Sequence, residues 1–312
     1  MTRRGLGGFL RRRRFYRQLP RIVARRLTTR DRRPAVFVSL MGGVGDLVNL
    51  FPTLERLSER FAVDLGTGPP PYAALAAADP HVRTLYWPFV YKPIRRAHRH
   101  VIRGVLAPFY ERVVLLDEPD SAWQTRRRHL SDVYAERCGC PPPARGAVYV
   151  PAEHHRRAAA YLTAAGLDDF IYVAQVIRAS RRLRSWPLAH YHALYRMLRA
   201  RGAGTILVDT VGSDETAMPD FCRRLEGLDV LTAAAVIGHA RLYIGTDGGL
   251  THVAAALNIP TVAIHVGYPP ETCRALGDNV LVVRQEHPLE DPARTTPERV
   301  LGTIEAAHLL PG

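Results

Sequence analysis

Lysine is almost missing from this chain: Lys92 stands alone among 43 basic residues, and the rest are arginine. That imbalance reads as genome composition rather than chemistry. Cysteine is scarce as well. Cys138, Cys140, Cys222 and Cys273 make no C-x-x-C pair, so no disulfide framework is predicted and reduced thiols in a cytoplasm are expected. No apolar run reaches the roughly 18 residues that a membrane-spanning helix needs. The opening residues are too polar for a secretory signal, because the short patch from Gly5 to Leu10 runs straight into a block of arginines. Acid is nearly absent from the first 33 residues, where thirteen arginines face Asp31 alone, so almost all of the net charge of +14 belongs to a tail. The body is close to neutral. It carries no basic stripe interleaved with aromatics, which argues against a nucleic-acid partner.

What is present fits two α/β domains. The chain has 312 residues, 47% of them hydrophobic, enough for two cores of ordinary size. Apolar strands are predicted at 35–40, 61–65, 83–87, 112–116, 147–150, 171–175, 204–209, 241–245, 260–265 and 280–284. Helices fill most of the intervals, such as 121–137, 153–165, 187–201 and 249–258. Such alternation implies parallel sheets with crossover helices. The run Pro141-Pro-Pro143 and the segment Val148-Tyr-Val-Pro151 mark a junction. The expectation is an Arg-rich tail (1–33), a first Rossmann-like domain (34–150) and a second (151–312), facing each other across a cleft. Ligands in such folds bind outside the C-terminal ends of the strands.

Two strand–glycine loop–helix units stand out. In the second domain, Leu242 to Ile244 stops at Gly245, a polar loop of Thr246, Asp247, Gly248 and Gly249 follows, and a helix starts with Thr251 and His252. Such a loop turns backbone N–H groups toward a phosphate at a helix N-terminus. In the first domain, Ala35–Leu40 leads into Met41-Gly-Gly-Val-Gly45-Asp46 and a helix with apolar residues at 47, 50, 54 and 57, kinked at Pro52. Position 48 is Val48 where a dinucleotide fingerprint would need glycine.

Gly45-Asp46-Leu-Val-Asn-Leu-Phe-Pro52 resembles the opening motif of glycosyltransferase family nine, the lipopolysaccharide heptosyltransferases. Arg184-Ser-Trp186-Pro187 resembles that family's Lys-x-Trp-Pro segment, and Asp247-Gly-Gly-Leu-Thr-His252 its donor-site motif. The three occur in the family's order. Arg184 stands where the family has Lys, Gly248 where it has Ser or Thr, and Ala174-Gln175-Val-Ile-Arg178 replaces an Asn-Pro-Gly-type turn. The resemblance implies the GT-B type of two-domain fold, with the last helix, around 297–309, packing on the first domain. It also implies an inverting, metal-independent transfer of a sugar, such as heptose, from a nucleotide diphosphate sugar to a lipopolysaccharide-type or other glycan acceptor. No cofactor and no metal are expected. A sugar-nucleotide epimerase or hydrolase, or a non-catalytic sugar-nucleotide-binding protein of similar fold, is the alternative.

Each site residue has two readings. Asp46 either caps its helix or, as the resemblance implies, is the general base on the acceptor hydroxyl, with Gly45 beside it. Asp247 either bonds its own turn or holds the donor sugar, while Gly248, Gly249 and Thr251 approach the diphosphate. His252 is a core histidine or a donor contact. Arg184 belongs to a solvated basic loop or neutralises the leaving diphosphate. Ser180 matches a phosphate-contacting Ser/Thr of the family. Asp214 and Glu215 charge a helix N-terminus or hold the ribose. Trp186 is read as a packing residue, and Asp117-Glu-Pro-Asp120 as a helix-start loop. In the tail, Phe9, Phe15, Tyr16, Leu19, Ile22, Val23 and Leu27 fall near one helical face, split at Pro20, with arginines around the rest. That pattern predicts peripheral contact of residues 1–33 with an anionic membrane, on the inner face of the cytoplasmic membrane.

Overall fold

The computed structural model describes residues 17–40, 42–68, 71–89, 96–116, 128–176, 179–211, 218–225 and 227–310. It is an α/β protein of two compact units. One comprises Met1–Ser121 and Ser131–Pro143; the other comprises Ala122–Leu130 and Ala144–Gly312.

The first unit holds four parallel strands, β1 (Ala35–Leu40), β2 (Ala62–Thr67), β3 (Val82–Tyr86) and β4 (Arg112–Leu115). Their order is β3-β2-β1-β4. All six residues of β1 are buried, as expected of a parallel strand covered on both faces. On one side Phe37 meets Phe89 and Tyr110 edge-on, with centroids 5.0 and 5.6 Å apart. Beneath them the buried Asp64 accepts two bonds from Arg83, at 2.9 and 2.6 Å, and one from the Tyr110 hydroxyl at 2.6 Å. A buried carboxylate is tolerable only when its lone pairs are filled in this way.

The tail is not a separate body over its described length. Residues 17–28 form one helix that runs through Pro20 without a break. Leu19 and Ile22 are buried among Phe37, Ile102, Leu106 and Tyr110, with Val23 packed beside them. Arg26 bonds the carbonyls of Phe109, Asp31 and Arg33 at 3.1, 3.3 and 3.3 Å. Among the described residues of the expected apolar face, Leu19 and Ile22 are therefore taken up by the domain, and Leu27 stays exposed, at 69%. Phe9, Phe15 and Tyr16 lie outside the described residues.

The second unit carries six parallel strands, β5 (Phe170–Val176), β6 (Thr205–Val211), β7 (Cys222–Arg224), β8 (Leu242–Thr246), β9 (Thr261–His265) and β10 (Val280–Arg284). Their order is β10-β9-β8-β5-β6-β7. The short edge strand β7 was not anticipated, and residues 147–150, expected as a strand, form none. Trp186 is 1% exposed; its indole donates to the Thr295 carbonyl at 2.6 Å and meets Tyr191 edge-on, so it is a packing residue. The last helix, Pro297–Ala306, buries Val300, Leu301 and Ile304 in this unit's own core. The helix expected at 121–137 is described from Leu130 to Cys138.

Candidate functional site

In the second unit the strand order turns around at β5. From β5 the chain goes to β6 and β7 on one side; β8, β9 and β10 then build the other. The crevice beyond the C-terminal ends of β5 and β8 is thus the switch point at which open parallel sheets bind ligands. β5 and β8 run in register from Ile171↔Leu242 to Ala174↔Gly245. Residues leaving them, Ala179–Arg184 in a 3-10 turn and Asp247 onward, are therefore neighbours.

Arg184 and Asp247 meet there. The guanidinium donates to Asp247 Oδ2 at 3.0 Å, with side chains 27% and 7% exposed. It also lies over the Tyr268 ring, 4.9 Å from the centroid. The Asp247 amide bonds the Ile264 carbonyl at 3.1 Å, which ties the loop to β9. Burial raises the Asp247 pKa, but His265, His252, Arg184 and the Cys273 thiol outweigh it and hold the carboxyl below its usual value. His252 Nε2 lies 3.9 Å from Asp247 Oδ1. Burial pushes His265 below its usual value, against the pull of Asp247.

Gly248 is the N-cap of the helix Gly249–Ala256 and offers it no side-chain bond. The first N–H groups of that helix face the same loop as Arg184 and Asp247, with the positive end of the helix dipole behind them. Gly248 is extended, at φ −168°. Thr251 is spent within the protein, since its hydroxyl donates to the Thr246 carbonyl at 2.7 Å and is 3.3 Å from the Tyr243 hydroxyl. Ser180 lies in the 3-10 turn. Asp214, Glu215 and the segment 117–120 lie outside the described residues.

In the first unit Asp46 sits in the first turn of the helix Val44–Ser58, just past β1. One carboxylate oxygen closes a capping box with the Gly43 amide. The other accepts from the Tyr134 hydroxyl at 3.0 Å. The capping reading of Asp46 is thus geometrically present, and the side chain remains only partly buried. Gly45 is buried in the same turn. A Cβ at Gly42 would run into the Asp46 side chain, so this loop needs glycine there to let the carboxylate fold back.

Sequence reasoning missed Tyr134, Gly42, His265, Cys273 and Asp209. Asp209, near the end of β6, accepts from the Tyr172 hydroxyl at 2.7 Å, and burial raises its pKa. A lone acid or histidine inside an apolar strand run was the available signal for Asp209 and His265. Nothing local marks Tyr134, whose partner is 88 residues away.

A family model, glycosyltransferase family 9 (heptosyltransferase), matches residues 89–301. Two curated relatives align over 112 residues at 30% identity: lipooligosaccharide heptosyltransferase 2 of Haemophilus influenzae and lipopolysaccharide heptosyltransferase 2 of Escherichia coli. The aligned stretch spans about a third, 32%, of this chain and of each relative. Among solved structures, E. coli ADP-heptose lipopolysaccharide heptosyltransferase II superimposes with a TM-score of 0.65 at 18% identity, over 87% of this chain and 98% of that one. A family 9 glycosyltransferase from Veillonella parvula does so with a TM-score of 0.68 at 14% identity, over 88% and 96%. Both have this chain's fold.

Proposed function

The chain belongs to glycosyltransferase family 9, and from that premise we propose that it transfers a sugar of the heptose class from a nucleoside diphosphate sugar to a glycan acceptor of the lipopolysaccharide type, with inversion and without a metal. The observation that carries the reading is the Arg184–Asp247 pair at the β5/β8 switch point, beside an uncapped helix N-terminus.

The second unit is suited to the donor. The diphosphate would take the N–H groups of the helix Gly249–Ala256 and the Arg184 guanidinium. Asp247, released from Arg184, would accept from the sugar hydroxyls. The first unit would supply the base. Asp46 takes the proton of an acceptor hydroxyl as that oxygen bonds to the anomeric carbon. The anomeric C–O bond to the diphosphate breaks, and the leaving group departs with the bonding pair. One displacement inverts the centre, so no second carboxylate is needed as nucleophile. Negative charge develops on the leaving oxygen, where Arg184 and the helix dipole act.

The test is release of nucleoside diphosphate from ADP-heptose and other nucleotide sugars, with and without a lipid-linked acceptor. Release that needs the acceptor and survives EDTA supports the reading. Acceptor-independent hydrolysis, or epimerised donor, replaces it with the alternative. Asp46→Asn should lower turnover by about 100- to 10,000-fold and leave donor affinity within a few-fold; near-normal turnover leaves Asp46 a cap only.

A lipid-linked acceptor makes contact with an anionic cytoplasmic leaflet useful. Among the described tail residues Arg17, Arg21 and Arg25 are exposed, one turn apart on the helix 17–28. Each can contribute on the order of 1 kcal/mol near such a surface. No helix among the described residues is long and apolar enough to cross a membrane.

A further inference from the structure

We propose that Asp247, His265 and Cys273 form a binding site for a zinc-class divalent cation, and that this cation excludes the donor sugar. The site itself stands on geometry; the exclusion rests on the reading of Asp247 given above.

Three adjacent elements build it. β8 and β9 pair in register up to Thr246↔Ile264, so Asp247 and His265 follow side by side. The chain then turns at Gly267, whose φ of +116° is glycine territory, and returns through Pro269 to the one-turn helix Pro270–Cys273. One carboxylate oxygen, one imidazole nitrogen and one sulfur lie within 4.8 Å of one another. Zinc binds sulfur at about 2.3 Å and carboxylate oxygen at about 2.0–2.2 Å, which at a tetrahedral angle puts the two ligand atoms roughly 3.6 Å apart. Cys273 Sγ donates to Asp247 Oδ2 at 3.6 Å, so replacing that proton with the cation needs little change in their separation.

His265 supplies a second, independent observation. It is 2% exposed, and neither ring nitrogen has a partner at hydrogen-bonding geometry; the Tyr268 backbone lies near enough to favour the protonated ring. Buried polar groups are normally paired, and a ligated cation would satisfy this ring. A cavity of about 130 Å³ is lined in part by His265, Tyr268, Glu271, Arg284 and His287.

The donor set selects the metal. Thiol and imidazole suit zinc and its neighbours, whereas magnesium and calcium want oxygen ligands. Arg184 opposes the cation through its bond to Asp247 Oδ2. It can leave the carboxylate and keep its place over Tyr268. Cys273 must lose its proton, so binding releases one proton per cation. A cation bonded to Asp247 draws on the carboxylate charge that would accept from the sugar hydroxyls, so the two should compete.

The probe is Co2+ added to the metal-free full chain. A thiolate-to-cobalt charge-transfer band should saturate at one equivalent, with proton uptake by the buffer. Zn2+ should bleach it and Mg2+ should not. Cys273→Ser should lose the band, and both it and His265→Asn should bind at least about 100-fold more weakly, while Cys140→Ser, a thiol elsewhere, should match the parent. Thermal melts show which variants are folded, and either one alone decides. No band, or unchanged affinity in a folded Cys273→Ser, overturns the site. Zn2+ should raise the apparent KM for the nucleotide sugar at constant kcat; bound Zn2+ that leaves KM unchanged overturns the exclusion. The Co2+ titration needs no turnover, so a chain that transfers no sugar would refute the transferase reading without touching the site.

Discussion

Tyr134 holds the carboxylate on which the proposed chemistry depends. Its hydroxyl donates to Asp46 Oδ1 at 3.0 Å, which fixes the direction in which that oxygen faces. Tyr134→Phe should lower kcat by about 10-fold, more than it raises KM. An unchanged kcat would mean that the phenol only packs. Gly42→Ala is the harsher change, because the new Cβ occupies the place of the Asp46 side chain. Turnover should fall by about 100-fold or more in a protein that still melts cooperatively. At the other site His265 makes an acid-sensitive point. Its pKa is pushed below the usual 6.5 by burial, so over the window below about 6.5 the unfolded chain binds the proton and the folded chain does not. Stability therefore declines as pH falls through that window. His265→Asn should flatten this segment of a stability–pH curve; an unaltered slope removes the argument.

At the scale of elements, the helix 17–28 is the clearest case of packing overriding sequence pattern. Apolar residues at Leu19, Ile22, Val23 and Leu27 with arginines between them read as an interfacial helix, and Pro20 reads as a break. Both inferences miss the tertiary partner. Ile22 is fully buried against Ile102 and Leu106, and Arg26 spends its donors on main-chain carbonyls. Ile22→Ala should cost about 2–5 kcal/mol, and Leu27→Ala, at a side chain 69% exposed, within about 0.5 kcal/mol, both read by denaturant titration. Strands were easier. β1, β5, β8 and β9 are near-continuous apolar runs ended by polar or glycine residues, so their existence and parallel pairing followed from composition and alternation. β7 has three residues, Cys222–Arg224, too few to show a period. Helices such as Val230–Ile237, buried over seven of eight residues, have no polar face to reveal a repeat of 3.6.

For the molecule as a whole, the two glycine loops were legible because each is local: strand, turn and helix are contiguous. Pairings across the chain were not. Arg184 with Asp247 spans 63 residues, and only the β5/β8 register brings them together; each was a candidate alone, and their ion pair was invisible. The tail also changes how the membrane proposal must be tested. Deleting residues 2–32 would remove Leu19 and Ile22 from the core and confuse unfolding with detachment. Deleting 2–16 keeps that helix and removes six arginines. The shortened protein should bind anionic liposomes more weakly at moderate salt and keep its turnover on a soluble acceptor; equal liposome binding would place the contact elsewhere or nowhere.

The clamp between Arg26 and the Phe109 carbonyl joins residues 83 positions apart. During synthesis the arginine-rich helix is therefore outside the ribosome well before Ile102, Leu106 and Tyr110 exist to receive it. At about 5–20 residues per second, that interval lasts several seconds. A cationic, amphipathic segment is then available to ribosomal RNA, chaperones and proteases, and its burial becomes a late event of biogenesis that records completion of the first unit's sheet.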